Sequence, residues 1–362
     1  AKKESTPDLF QFGGEDLPHR EVPFTHEEAL VHMVERRRES GMSRTAVDSI
    51  PRETEDLPKG QEAWLIYLQG RLLADDGRWE DAMAAWEALR NHEQEPELRA
   101  NLAYDKGYSC YQLARLANSL EHFQVSLADF RRLGDRWMEA QTLNNLGVLH
   151  GLIGNWSEGL DDHRRSLEIK RKLGDRQGEA ISLFNIANLH FLLGKWPIAR
   201  KEYQESLEEF REIQDRQGEA NVSVNLGILY QRMGDTQAAL REYESCRTIW
   251  RKMGNREEET RVVLDIGELY SDKQRWPEAF AVLEDALKSA IDTGSADLEI
   301  SVRIHMGTAL RIQCKWEEAL SQYKQALENA REIGNRMLEF DVLHELGQLY
   351  TAQQHTHEQE QH

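Results

Sequence analysis

Gly134-Asp135-Arg136-Trp137-Met138-Glu139 is followed forty residues later by Gly174-Asp175-Arg176-Gln177-Gly178-Glu179. The pattern returns as Gln214-Asp215-Arg216, Gly254-Asn255-Arg256, Gly294-Ser295-Ala296 and Gly334-Asn335-Arg336. Three residues after the third position of every copy stands a glutamate: Glu139, Glu179, Glu219, Glu259, Glu299 and Glu339. These residues are helix punctuation. Glycine ends one helix, where a left-handed backbone costs it little, and Asp, Asn or Ser caps the next by accepting a backbone N–H. The glutamate falls in the first turn, facing the positive end of the helix dipole. Catalytic carboxylates work as a pair and do not need six copies, so the series predicts architecture.

Between the caps lie two columns of small residues. Gly70, Gly107, Gly147, Ala187, Gly227, Gly267, Gly307 and Gly347 form the first; Ala82, Ser119, Gly159, Ala199, Ala239, Ala279 and Ala319 form the second, twelve residues on. Four residues after the second column comes bulk: Trp86, Phe123, His163, Tyr203, Tyr243, Leu283 and Tyr323. Apolar residues around them recur at three- and four-residue spacings, and short turns such as Ile153-Gly154-Asn155 join the segments. Each unit therefore reads as a helical hairpin whose two helices approach closely.

These columns resemble the tetratricopeptide repeat, in which small residues at positions 8, 20 and 27 and an aromatic at 24 match Gly227, Ala239, Cys246 and Tyr243. The resemblance implies an all-α, right-handed superhelical solenoid. Seven repeats begin near Ala63, Ala100, Ala140, Ala180, Ala220, Thr260 and Ile300, within residues 61–336, with a capping helix over 337–352 and a polar tail over 353–362. The unit is six residues longer than usual and lacks the family's late proline. Such longer units resemble those of spindle-orientation adaptors, kinesin light chains, and bacterial signalling ATPases and caspase-like peptidases.

In the family, helix A positions 2, 6, 9 and 13 line the inner groove and bind the partner. Carried over, they give Gln141, Asn145, Asn185, Asn188, Asn221, Asn225, Arg232, Arg261, Asp265, Glu268, Asp272 and His305, each set spaced to share one helix face. The column Asn145, Asn185 and Asn225 offers a donor and an acceptor at each step, so it predicts a ladder for an extended peptide backbone. The competing reading is that these amides hydrogen-bond neighbouring helices. Asp265, Glu268, Asp272, Asp341 and Glu345 make the carboxy-terminal groove acidic, which predicts a ligand with basic residues.

With 45 Lys and Arg against 64 Asp and Glu, the net charge of −19 argues against direct nucleic-acid or anionic-membrane binding. No stretch approaches the apolar length of a membrane span, and no apolar run follows the first residues, so a cytoplasmic location is expected. Cys110, Cys246 and Cys314 are odd in number and far apart, and read as packing thiols. His150, His163 and His190 could ligate zinc, or each could replace an aromatic of its column. Trp79, Trp156, Trp196, Trp276 and Trp316 share one register at the start of helix B and read as turn packing. No phosphate loop, nucleophile elbow or dinucleotide fingerprint occurs, so neither an enzyme nor a cofactor is nominated.

Residues 1–24 carry Pro7, Pro18 and Pro23 and read as extended, with Leu9, Phe10, Phe12 and Phe24 available to pack on the first repeats or to occupy the groove. Residues 25–60 read as a degenerate helical segment and linker, with Thr25 capping Glu27 to Glu39. The functional expectation is a non-enzymatic scaffold or adaptor that binds protein or peptide. The alternative is a regulatory or sensor subunit controlling a signalling ATPase, peptidase or other effector, and self-association through the terminal repeats is a third expectation.

Overall fold

A computed structural model describes residues 59–89 and 95–360. Fifteen helices and no strand occur among them. In chain order they are α1 (Lys59–Asp75), α2 (Trp79–Glu87), α3 (Pro96–Gln112), α4 (Leu116–Leu133), α5 (Arg136–Leu152), α6 (Trp156–Leu173), α7 (Arg176–Leu192) and α8 (Trp196–Glu212). There follow α9 (Arg216–Met233), α10 (Thr236–Met253), α11 (Arg256–Asp272), α12 (Trp276–Thr293), α13 (Ala296–Ile312), α14 (Trp316–Glu332) and α15 (Arg336–Glu360). The expectations for residues 1–58 lie outside the described residues.

The punctuation works as its chemistry requires. Asp135, Asp175, Asp215 and Asn255 accept the backbone N–H three residues on, at 2.8–3.1 Å. Gly134, Gly174, Gly254, Gly294 and Gly334 take positive φ at the preceding helix end, and Gln214 adopts φ 61° in the same register at some cost in strain. The repeated glutamate does more than face a dipole, because arginines clamp it from both sides of the junction. Arg211 and Arg216 hold Glu219 at 2.8 and 2.7 Å, and Arg251 and Arg256 hold Glu259 at 2.7 and 3.4 Å. At Glu299 the clamping positions are Ile291 and Ala296, and Arg303 of the same helix takes over at 2.7 Å.

The described residues form two compact units, one ending at Lys195 and one beginning at Trp196. In the first, α1/α2, α3/α4 and α5/α6 pair as hairpins and α7 packs on α6. In the second, α9/α10, α11/α12 and α13/α14 pair, and α15 packs on α14. The small-residue column sets the closeness of each pair. A Cβ placed on Gly107 would meet the Phe123 ring at 2.9 Å, and one on Gly227 the Tyr243 ring at 2.5 Å. Each hairpin's aromatic is buried there, Trp86, Phe123, Tyr243 and Tyr323 being fully or almost fully enclosed.

One expected boundary is corrected. The last helix does not stop at residue 352 before a polar tail; α15 runs to Glu360. The physical reason is local: after Gly347 no glycine or proline interrupts the chain, and Ala352, Gln353, Gln354, Glu358 and Glu360 are good helix formers.

Candidate functional site

In the first unit, the inner helix positions are occupied by amides that the fold itself uses. Asn145 is fully buried and its Nδ2 donates to the Tyr104 hydroxyl at 3.0 Å, one repeat earlier. Asn185 Nδ2 donates to Asn144 Oδ1 at 3.1 Å. Asn188 is buried as well. Asn145 and Asn185 thus tie adjacent repeats together, as the competing reading has it, because a position-6 amide reaches back to position 5 of the previous helix A. Two acceptors remain without a protein partner, Gln141 Oε1 and Asn145 Oδ1, one turn apart on α5.

The same register one repeat earlier holds Asp105, a residue that sequence reasoning passed over although extending the asparagine column backward by forty leads to it. Tyr67 donates to Asp105 at 2.6 Å, and Arg71 lies 3.6 Å from the same oxygen with its guanidinium over the Tyr67 ring. Burial holds the Asp105 carboxyl above the usual carboxylate range, against the pull of Arg71 and of the Tyr67 hydrogen bond.

His150 and His163 have separate partners. His150 Nδ1 pairs with Asp162 at 2.8 Å. His163 Nδ1 lies 3.2 Å from Asn144 Oδ1; a carbonyl oxygen can only accept, so Nδ1 carries the proton. Burial, with Lys170 and His150 nearby, pushes His163 down to about 3, so it is neutral at physiological pH. No group of three His, Cys, Asp or Glu side chains among the described residues is arranged to hold a metal ion.

The second unit presents a different inner surface. Asn221 is half-buried, and Asn225 Nδ2 donates to the Asn221 carbonyl at 3.0 Å, closing on its own helix. Arg261 pairs with Glu257 at 2.8 Å and Glu258 at 3.6 Å on its own helix. Arg232 is exposed. Asp272 accepts from Gln231 at 3.2 Å, and Gln231 in turn accepts from the Tyr243 hydroxyl at 3.1 Å. Glu345 is held by Arg311 at 3.3 Å and by the hydroxyls of Thr308 and Tyr323 at 3.1 and 3.3 Å.

Asp265 and Glu268, by contrast, form no ion pair among the described residues. Burial and then the neighbouring Glu268 push the Asp265 carboxyl up to about 7. His305 is half-buried and its pKa is lowered by burial, opposed by the Glu268 and Glu345 carboxylates that face it. The result is a surface where Asp265 and Glu268, neither in an ion pair among the described residues, lie near a neutral imidazole. Chemically this arrangement favours an incoming positive charge and hydrogen-bond donors.

Comparison with known proteins follows the same lines. The model of the family described as Tetratricopeptide repeat matches residues 98–172, 138–212, 178–252, 218–292 and 259–332. No curated protein matches the chain in sequence. Among solved structures, the apo form of the quorum sensor NprR from B. thuringiensis is similar with TM-score 0.63 and 17% identity, over 90% of this chain and 91% of that one. The apo form of RapI is similar with TM-score 0.59 and 16% identity, over 75% of this chain and 99% of that one. A signal transduction ATPase with a tetratricopeptide repeat sensor from Pyrococcus horikoshii gives TM-score 0.60 and 14% identity, over 92% of this chain and 53% of that one. At these identities the likeness is one of fold.

Proposed function

Because the chain belongs to the tetratricopeptide repeat family, we propose that it is a non-enzymatic protein-binding scaffold whose second unit takes a segment carrying basic residues on its inner helix faces. The observation that carries this reading is Asp265, whose burial and whose neighbour Glu268 raise its pKa, with neither carboxylate in an ion pair among the described residues. Leaving two carboxylates so placed costs stability, and a ligand lysine or arginine would remove that cost. Glu345 of α15 is already paired with Arg311 and Asp272 of α11 accepts from Gln231, so Asp265 and Glu268 are the carboxylates left for a ligand cation. The first unit contributes less to such a ligand, since its inner amides are engaged within the fold.

This reading has a specific pH signature. Asp265 titrates near 7, while His305 is lowered below its ordinary value and the ligand's lysines and arginines stay charged. Affinity for a flexible Lys/Arg-rich peptide, measured by fluorescence anisotropy, should therefore rise as pH is raised from about 6 to about 8. Asp265→Asn should flatten that rise. An affinity independent of pH in the wild type would place the basic ligand elsewhere.

A further inference from the structure

A pocket of about 380 Å³ opens between the start of α11 and the last turns of α12, lined by Arg256, Asp285, Lys288, Ser289, Asp292 and Thr293. The α12 residues among them are spaced by three and four and share one face of that helix. The start of helix A lies beside the end of helix B in an antiparallel hairpin, which brings Arg256 opposite them. The space has a cause in the sequence. At the positions of Ser289 and Thr293, α10 carries Ile249 and Met253, and α6 carries Ile169 and Leu173. Ile249 and Ile169 are buried, so the exchange of aliphatic for hydroxyl side chains removes bulk in α12 and leaves polar walls.

The charges of the lining balance, with two cations, two carboxylates and two hydroxyls. Lys288 and Asp292 form no ion pair among the described residues. Arg256 is the loose arm of its clamp, standing 3.4 Å from Glu259 where Arg216 stands 2.7 Å from Glu219. Glu259 keeps Arg251 at 2.7 Å and Arg247 at 3.8 Å, so Arg256 can turn to a ligand without leaving that carboxylate unpaired. Asp285 pairs with Arg247 at 3.1 Å through one oxygen, and its side chain is 67% exposed. Thr293 directs its proton to the carbonyls of Ser289 and Ala290 at 2.9 and 3.1 Å, which leaves its oxygen to accept from a ligand.

This charge pattern decides the class of ligand. A phosphate or other bare anion would face Asp285 and Asp292, and a bare cation would face Arg256 and Lys288. A small molecule with both charges meets both pairs. The volume lies at the small end of ligand pockets, about 300–1,000 Å³, and suits a metabolite rather than a protein segment. We propose that this pocket binds a free α-amino acid, its carboxylate held by Arg256 and Lys288 and its ammonium by Asp285, Asp292 and the Thr293 oxygen. None of these residues belongs to the surface assigned to a basic segment, so the two readings stand or fall separately.

The test is calorimetric titration of the full chain with each of the twenty standard amino acids, in a buffer free of phosphate and primary amines. At least one should give saturable heat. Its N-acetyl derivative, which lacks the ammonium, and its carboxamide, which lacks the carboxylate, should each bind roughly tenfold more weakly or worse. Arg256→Gln and Asp292→Asn should each weaken the free amino acid by a similar factor, with helical circular dichroism unchanged, since both side chains are exposed. A steric variant rebuilds the pattern of α10: Ser289→Ile with Thr293→Met fills the pocket with residues that the fold accepts at these positions, and should abolish binding. Inorganic phosphate and ethylamine should give no saturable heat. The proposal is overturned if none of the twenty binds, if the acetylated and amidated forms bind as tightly as the free amino acid, or if the filled variant binds as well as the wild type. Saturable binding of phosphate or ethylamine alone also overturns it, since the pocket would then be a site for a single charge.

Discussion

Lys170 shows how a single side chain reports on its surroundings. It is fully buried, donates to Ser182 at 3.3 Å, and has only the field of Asp175 in its favour, so burial pushes its pKa down to about 8. Between that value and the ordinary 10.5 the unfolded chain holds a proton that the folded chain has lost, so stability rises with pH across this window. Below pH 8 the folded state carries the full penalty. Lys170→Met should be the more stable protein at neutral pH by something on the order of 3 kcal/mol, and its advantage should shrink as pH rises from 8 towards 10.5. Urea unfolding of both proteins at several pH values reads this directly; parallel curves with no convergence would mean that Lys170 stays charged and solvated. The asparagines teach a related lesson. Their register on the inner face was legible from spacing, but their engagement was not. Whether Asn185 faces a ligand or Asn144 depends on a residue 41 positions earlier, and one column read alone does not supply it.

At the scale of the helix pair, most of the fold could be read in advance, because caps and packing columns act locally and repeat. The Gly-Asp-Arg junctions, the first-turn glutamates and the small-against-bulky pairs all sit where the pattern puts them. The upstream arginine of the junction clamp was missed because Arg211 and Arg251 lie three residues before the junction's first position, Gln214 or Gly254, outside the stretch that defines the repeat by eye. The same columns predict opposite outcomes for one substitution at two places. Gly227→Ala would drive a methyl into the buried Tyr243 ring and should cost about 1–3 kcal/mol. Gly347→Ala meets nothing and should raise stability by about 0.5–1 kcal/mol through helix propensity alone. Thermal melts of the two variants measure the contrast, and equal losses at both sites would show that the Gly347 face is covered within the molecule.

Over the whole molecule, the family and the all-α class follow from periodicity, while the binding surface follows from what the repeat leaves unused. On the proposed reading, an inner position is free for a partner only if neighbouring repeats do not claim it: Asn145 and Asn185 are claimed, whereas Asp265 and Glu268 form no ion pair among the described residues. On that reading, the net charge of −19 bears on the sign of the partner but not on its address. The address comes from the forty-residue register, in which Asp105, Asn145, Asn185, Asn225, Asp265, His305 and Glu345 are successive occupants of one position. The measurement that tests the account most directly compares the affinity of a Lys/Arg-rich peptide for the wild type, for Asp265→Asn/Glu268→Gln and for Asn145→Ala/Asn185→Ala, at low and high salt. The account predicts a loss of roughly ten- to a hundredfold in the acidic-pair variant, most of it gone at high salt, and little change in the asparagine variant once its lower stability is matched by temperature. Binding that survives in the acidic-pair variant and collapses in the asparagine variant would contradict it.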